Sequence, residues 1–341
     1  MGSVALFVPH VGCPQQCSFC DQRAITGGAQ PPTPWQVWQT AQAAASHLGQ
    51  QVKDTEIAFF GGSFTAIPRG QMLSLLAPAK EAVERFGFRG LRCSTRPDAI
   101  DGEVLSLLKA YHMVAVELGA QSMDGEVLRR NRRGHSPEDT VRAAGLIRAA
   151  GLELGLQMMT GLYGSTPAKD VETARALIAL QPATARVYPT VVLAGTHLAA
   201  LYRQGHYHPQ TLEEAVELCA RLLPLFEEAG VRVIRVGLHA QEDVERRRVA
   251  GPYHPAFREL VESRRFLARL LPELEKQPPG AYAVRVCPRQ LSVATGQRRC
   301  NLEALARRGY AVRFAPDASL APGRFGVGPQ ETRNEKGKQA Q

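Results

Sequence analysis

A chain of 341 residues, 44% of them hydrophobic, is long enough to bury the core of one large α/β domain with an appendage, or of two domains. Its formal net charge of +9, with arginine far outnumbering lysine, suits a polyanionic partner without by itself specifying nucleic acid. No window approaches the ~18–20 uninterrupted apolar residues of a membrane span, and the start lacks the regions of a signal peptide. Neither a membrane nor export is therefore expected, and the expected compartment is the cytoplasm, where the seven cysteines stay reduced.

Taken in chain order, short β-rich runs alternate with amphipathic segments. A strand at Ser3–Pro9 runs into "VPHVGCPQQCSFCD" (Val8–Asp21), which carries Cys13, Cys17 and Cys20 in a CxxxCxxC spacing. A helical pattern over 34–48 follows, opened by Thr33-Pro34. The strand Thr55–Gly62 ends in "FFGGSFT", and a helix over 70–86 leads to the strand Phe88–Thr95, which ends in "STRPD" (Ser94–Asp98). After a helix over 102–110, the strand Met113–Gln121 ends in "ELGAQS" (Glu117–Ser122). Then comes "LRRNRRGH" (Leu128–His135), with four arginines in five residues, ahead of a helix over 136–150 capped by Ser136-Pro137. The strand Leu152–Met159 ends in "MMTGLYG" (Met158–Gly164), and Thr166-Pro167 opens a helix over 168–180. A strand Ala185–Leu193, a helix over 211–229 and a strand Val231–Leu238 complete the series.

Such alternation predicts an α/β fold, a partial (β/α)6 TIM-like barrel over 1–240 with its chemistry at the carboxyl ends of the strands. Beyond it, "QEDVERRRVAGPYHP" reads as a loop and 255–271 as a helix, together a helical linker region over 241–280. A strand in "PPGAYAVRVCP", a helix over 301–308 and a strand over 310–314 predict a small C-terminal α/β unit over 281–326 of βαβ type. Residues 327–341 read as a disordered, glycine-rich polar tail that contributes only about +1 of the charge.

Three thiols on one loop at the active end of a barrel admit three readings. They are chance buried cysteines; or a zinc site, which wants a fourth ligand such as His10; or a four-iron four-sulfur cluster with one iron left free. With Phe19 just before the last cysteine, the loop resembles the cluster signature of the radical S-adenosylmethionine (SAM) superfamily. That resemblance implies a 4Fe-4S cluster on Cys13, Cys17 and Cys20, with SAM chelated by the open iron and cleaved to a 5′-deoxyadenosyl radical. Gly61 and Gly62 let backbone approach a ligand closely. With Phe19, Ser63, Arg96, Gln121 and Arg132 or Arg133, they are the expected SAM contacts. Arg129 and Arg130 are the expected contacts to nucleic-acid phosphates. No catalytic side chain is singled out.

The blocks FFGGSFT, STRPD, ELGAQS, NRRGH and MMTGLYG, in that order, resemble the catalytic subunit family of Elongator from about Val4 to about Gln204. The resemblance implies modification of the wobble uridine of tRNA, with an external electron donor of flavodoxin or ferredoxin type. Some positions depart from that family's pattern: Ser94, Gln157 and Thr160 stand where it carries an acid, a histidine and a proline. Too few residues follow Pro279 for its acetyltransferase domain, so acetyl-CoA is not expected as a partner of this chain alone. Two alternatives accompany this reading: a radical SAM enzyme for a small molecule or cofactor such as a tetrapyrrole, and a non-catalytic cluster-bearing RNA-binding protein. Cys93 and Cys219 read as core, Cys287 and Cys300 as ordinary thiols too few for an auxiliary cluster. His197, His206, His208 and His239 read as rim residues, and "TGQRRCN" (Thr295–Asn301) as a candidate phosphate-binding turn.

Overall fold

Strands buried on both faces and helices with one apolar stripe can satisfy each other only in layers, and they do so here in two units, Met1–Pro255 and Ala256–Gln341. The computed structural model describes residues 2–9, 13, 16–20, 30–238 and 242–330. His10, His239 and the segment 331–341 of the expected tail lie outside the described residues.

In the first unit β1 (Gly2–Val8), β2 (Thr55–Gly61), β3 (Gly90–Thr95), β4 (Met113–Gln121), β5 (Glu153–Thr160), β6 (Thr184–Pro189) and β8 (Arg232–Val236) lie side by side in that order. Every pair is parallel, and the curled sheet is a half-barrel with β1 and β8 at its two edges. Helices α1 (Pro34–Leu48), α2 (Arg69–Phe86), α3 (Gly102–Ala110), α4 (Gly125–Arg130), α5 (Pro137–Ala149), α6 (Pro167–Ala179), α7 (His197–Arg203) and α8 (Leu212–Glu228) fall between or after these strands. The expected caps are made. Thr33, Ser136 and Thr166 each accept a backbone N–H from the first turn of a helix with proline at its start, and Thr33 and Ser136 complete capping boxes with Gln36 and Asp139. No described helix is long and apolar enough to cross a membrane.

The two faces of the sheet differ in chemistry. Ile57, Phe59, Leu91, Cys93, Val116, Leu118, Leu154 and Val187 occupy one alternation and are buried. The other alternation carries Glu56, Arg92, Glu117, Glu153, Gln157 and Arg186, joined in one charge network. Arg92 Nε donates to Glu56 at 2.6 Å, Arg89 bridges Glu56 and Glu153, and Arg186 Nε donates to Glu117 at 2.9 Å while lying 4.9 Å above the Phe60 ring. Ser94 Oγ (3.1 Å) and Gln157 Nε2 also donate to Glu117. Gly155 makes room for it, since a Cβ there would stand 3.0 Å from Glu117 Cγ. Burial alone would disfavour the charge of Arg186, but Glu117 more than offsets that and holds its pKa above the ordinary guanidinium value.

Several expectations need correction. The run Ala185–Leu193 is two strands, because the Thr190 N–H and hydroxyl both turn back onto the Thr160 carbonyl, at 2.9 and 2.7 Å. Its second half, β7 (Val192–Leu193), pairs antiparallel with β9 (Arg248–Ala250) in a separate ribbon. The expected loop over 241–255 contains that strand and α9 (Glu242–Arg247), tied down where Val244 packs against Val191 and Leu193.

In the second unit the expected linker helix is a core element: α10 (Phe257–Glu275) lays Phe266, Leu270 and Leu274 against a three-stranded sheet. The helix outruns its expected end, and Pro272, because the buried stripe continues at Leu274. β10 (Gly280–Val286) pairs parallel with β11 (Tyr310–Pro316), the expected βαβ-like arrangement, with α11 (Leu291–Thr295) and α12 (Cys300–Ala306) between them. The tail read as disordered from 327 begins instead within β12 (Phe325–Pro329), antiparallel to β10. Its glycines suggested a coil, but they alternate with Phe325 and Val327, which pack into the core.

Removing Glu117 would strand Arg186 as a buried cation, while Arg92 keeps Glu56. Glu117→Ala is expected to cost about 3–5 kcal/mol in urea-melt stability, and Glu117→Gln less, because the amide still accepts a hydrogen bond. Wild-type stability for Glu117→Ala would contradict this role.

Candidate cofactor site at the barrel rim

The cysteine loop leaves the carboxyl end of β1 and is pinned by Ser18. The Ser18 N–H donates to the Asn131 carbonyl at 3.1 Å, its hydroxyl to Asn131 Oδ1 at 2.7 Å, and its carbonyl accepts from Leu198 N at 2.7 Å. Asn131 is itself fixed, its amide donating to the carbonyls of Val127 (2.8 Å) and Tyr163 (2.9 Å). A buried, fully bonded asparagine therefore holds the loop against the turn after α4.

That turn separates the arginine run. Arg132 stands at φ +55° and is exposed, while Arg133 turns inward and is 7% exposed. Arg133 Nη1 donates to Cys17 Sγ at 3.1 Å and Nη2 to the Gly119 carbonyl at 2.7 Å, while its buried Nε has no partner. No carboxylate among the described residues pairs with it. Beside it, β4 carries an irregularity in its register with β5 between Gly119 and Gln121. There Gln121, at φ +65°, places a buried Oε1 that also lacks a partner.

The ends of β2 and β3 close the other side. Gly61, at φ +118°, leaves no room for a side chain, since a Cβ would meet the Val8 carbonyl at 2.8 Å; Gly62 N donates to that same carbonyl at 2.9 Å. Ser63 Oγ lies 2.8 Å from Thr95 Oγ1 and accepts from Arg96 N at 3.1 Å, so the FFGGSFT and STRPD blocks form one hydroxyl chain. Arg96 makes a two-pronged pair with Asp98, at 2.9 and 2.8 Å. Burial opposes its charge, but Asp98 and the thiols of Cys17 and Cys13 raise its pKa.

Cys13 is exposed, Cys17 buried and Cys20 intermediate. Although Cys13 reaches solvent, partial burial and then the neighbouring Cys17 push its thiol pKa up; Arg96, Arg133 and the Ser63 N–H act against that rise. Among the described residues no three His, Cys, Asp or Glu side chains close around a single metal ion. Three thiols, two inward-reaching cations and two partnerless buried polar atoms nonetheless make a donor set suited to a larger group with its own anionic and polar atoms.

The remaining candidates separate. Phe19 packs against Val192, Leu198 and Tyr207. Arg130 pairs with Glu126 at 2.6 Å and lies 5.6 Å above Tyr163. Arg129 and Arg132 line an open cavity of about 460 Å³ with Gly134 and His135. His135 is held neutral, its pKa pushed down to about 4 by burial and by Arg133. Cys93 and Cys219 are buried in strand and helix as expected. Sequence reasoning missed Ser18, Asn131 and Thr95, although the asparagine inside the arginine run was a visible signal. It also missed Asp170, which ties the MMTGLYG loop by accepting from Gly161 N (2.9 Å) and Ser165 Oγ (2.6 Å).

Residues 7–177 match the pattern of the radical SAM superfamily, and residues 182–266 that of the radical SAM C-terminal domain. The chain belongs to the radical SAM superfamily. It is 32% identical over 191 residues to a tRNA uridine(34) acetyltransferase of Methanocaldococcus jannaschii, covering 50% of this chain and 35% of that protein. It is 29% identical over 238 residues to human Elongator complex protein 3, covering 64% and 43%. The chain thus spans less than half the length of either relative. The structure of Methanocaldococcus infernus Elp3 with an N-terminal deletion shares the fold, at a TM-score of 0.61, 22% identity and coverage of 81% and 62%.

Burial raises the Asp170 carboxyl pKa to about 6, against the pull of its two hydrogen bonds. Because that value lies above the unfolded one, the folded state holds the extra proton, and stability falls as pH rises from about 4 to about 6. Asp170→Asn keeps an acceptor and removes the titration. Relative to wild type it is expected to gain on the order of 3 kcal/mol between pH 4 and pH 7 in denaturant melts. An unchanged difference across that range would contradict the buried-proton account.

Proposed function

We propose that Cys13, Cys17 and Cys20 hold a 4Fe-4S cluster, that the rim residues around them hold SAM, and that the chain modifies a tRNA uridine. The observation that carries this reading is the buried Arg133 cation, bonded to Cys17 Sγ and paired with no described carboxylate. A buried guanidinium in this setting calls for anionic company, which thiolates with a ligand carboxylate would provide. When bound, the cluster and SAM would supply an electron and a 5′-deoxyadenosyl radical, with reducing equivalents from a flavodoxin- or ferredoxin-type donor.

The chain's own residues position and shield. Arg133 would hold the ligand carboxylate near Cys17. Gly61 and Gly62 would present backbone carbonyl groups to the ligand, with no room for a side chain at Gly61. Gln121 Oε1 would accept a ligand hydrogen bond, and the Ser63–Thr95 chain would fix Arg96. Arg129 and Arg132, exposed and without carboxylate partners among the described residues, are suited to RNA phosphates. The substrate class rests on the names of the relatives. The acetyl transfer in those names is not carried over to a chain that spans less than half of them.

After anaerobic reconstitution the wild type is expected to bind about four irons per chain, and Cys17→Ala a small fraction of that. Arg133→Met is expected to keep the iron but to weaken SAM binding roughly 10- to 100-fold, the loss of a charge-assisted hydrogen bond. Equal iron in Cys17→Ala would overturn the cluster assignment, and unchanged SAM affinity in Arg133→Met the role given to that arginine.

A further inference from the structure

The positive charge of the chain is unevenly placed. Residues 256–330 carry 13 Lys and Arg against 6 Asp and Glu, a net +7 of the chain's +9, whereas residues 1–255 carry 25 against 24. The excess therefore belongs to the second unit and not to the barrel with its arginine run.

Within that unit the sheet has one unpartnered face. Tyr282, Val284, Val286, Phe314, Phe325 and Val327 turn to the helices and build the core. The opposite alternation carries Ala281, Ala283, Ala311, Ala315, Gly326 and Gly328, exposed or half-buried, together with exposed Arg285 and Arg313. Arg313 pairs in register with Ala283 and Arg285 with Ala315, so the two arginines are diagonal neighbours. Arg285 lies over Gly326, where a Cβ would come within 3.3 Å of its Nη2. Arg289 and Arg324, both exposed, are the chain neighbours of Gln290 and Gly323, which are joined by a hydrogen bond from Gly323 N to Gln290 Oε1 at 2.6 Å. Among the described residues the acid paired with Arg285 is Asp317, 3.5 Å away and held charged by hydrogen bonds from Ser319. Arg289, Arg313 and Arg324 have no carboxylate partner among the described residues.

We propose that this face of small residues and arginines is a docking surface for the phosphate backbone of double-helical RNA. An acidic protein would share the charge complementarity, but protein interfaces need aromatic or aliphatic anchors, and this face offers alanine and glycine. Single-stranded RNA is bound by stacking bases on aromatic rings, and the aromatic residues of this sheet point into the core. What remains is close approach of a rigid polyanion to a surface without protrusions, gripped by arginines. The choice of RNA rests on the tRNA reading above.

The test uses the full reconstituted chain, and measures binding of tRNA, a 16-base-pair RNA duplex and oligo-U across a salt series. Arg285→Glu/Arg313→Glu is expected to weaken tRNA and duplex binding at 0.1 M salt about 10- to 100-fold. It should also lower the salt slope by about 2, with iron content and melting temperature unchanged. Arg285→Ala/Arg313→Ala, which places no new charge beside Asp317, should show the same slope change with a smaller loss. Unchanged slope and affinity in both variants, with wild type still binding tRNA, would overturn this surface and leave the substrate reading standing. Tighter binding of oligo-U than of the duplex would also overturn it. Arginine-dependent duplex binding without uridine modification would support the surface while ending the tRNA-uridine reading.

Discussion

A buried cation that meets no carboxylate among the described residues is the constraint around which the rim of this barrel is built. Arg133 reaches Cys17 Sγ and the Gly119 carbonyl from a turn that must pass through a left-handed residue, Arg132, to aim it inward. Desolvating a guanidinium costs several kcal/mol unless charge and hydrogen bonds answer it. Among the described residues Arg133 meets a sulfur and a peptide carbonyl instead. The other supports follow from holding that geometry: Ser18 and Asn131 fix the loop, the register irregularity before Gln121 shapes β4, and Asp98 orients Arg96.

Beneath the rim lies a second electrostatic layer of a different kind. The concave face of the sheet is closed by Glu56, Arg92, Glu117 and Arg186, whose charges are matched within the protein. This separation suits a cofactor site: the matched layer makes a rigid floor, and the unmatched groups above it are left to be satisfied by a ligand. Most of the net positive charge lies in the small C-terminal unit.

Much of this was legible in the sequence, for physical reasons that can be named. Cap residues before prolines set the starts of α1, α5 and α6, because those positions satisfy local backbone donors and need no tertiary context. The strand ends were legible because chemistry gathers at the carboxyl edge of a parallel sheet. Long-range effects were not. The break after Pro189 depends on Thr190 meeting Thr160, and β12 exists only because β10 is there to pair with it. The arginine run read as one patch, yet a single left-handed residue gives its members different tasks. The network on the concave face was hidden because Glu56, Arg92, Glu117 and Arg186 are ordinary charged residues until four strands bring them together.

The most direct test of the central claim is to supply the reduced, reconstituted protein with SAM and with tRNA from cells lacking the gene. 5′-Deoxyadenosine release and the mass of each tRNA nucleoside are then followed together. The account predicts that tRNA stimulates deoxyadenosine formation and that one uridine changes mass. SAM cleavage at the same rate with and without tRNA, with every nucleoside unchanged, would contradict it.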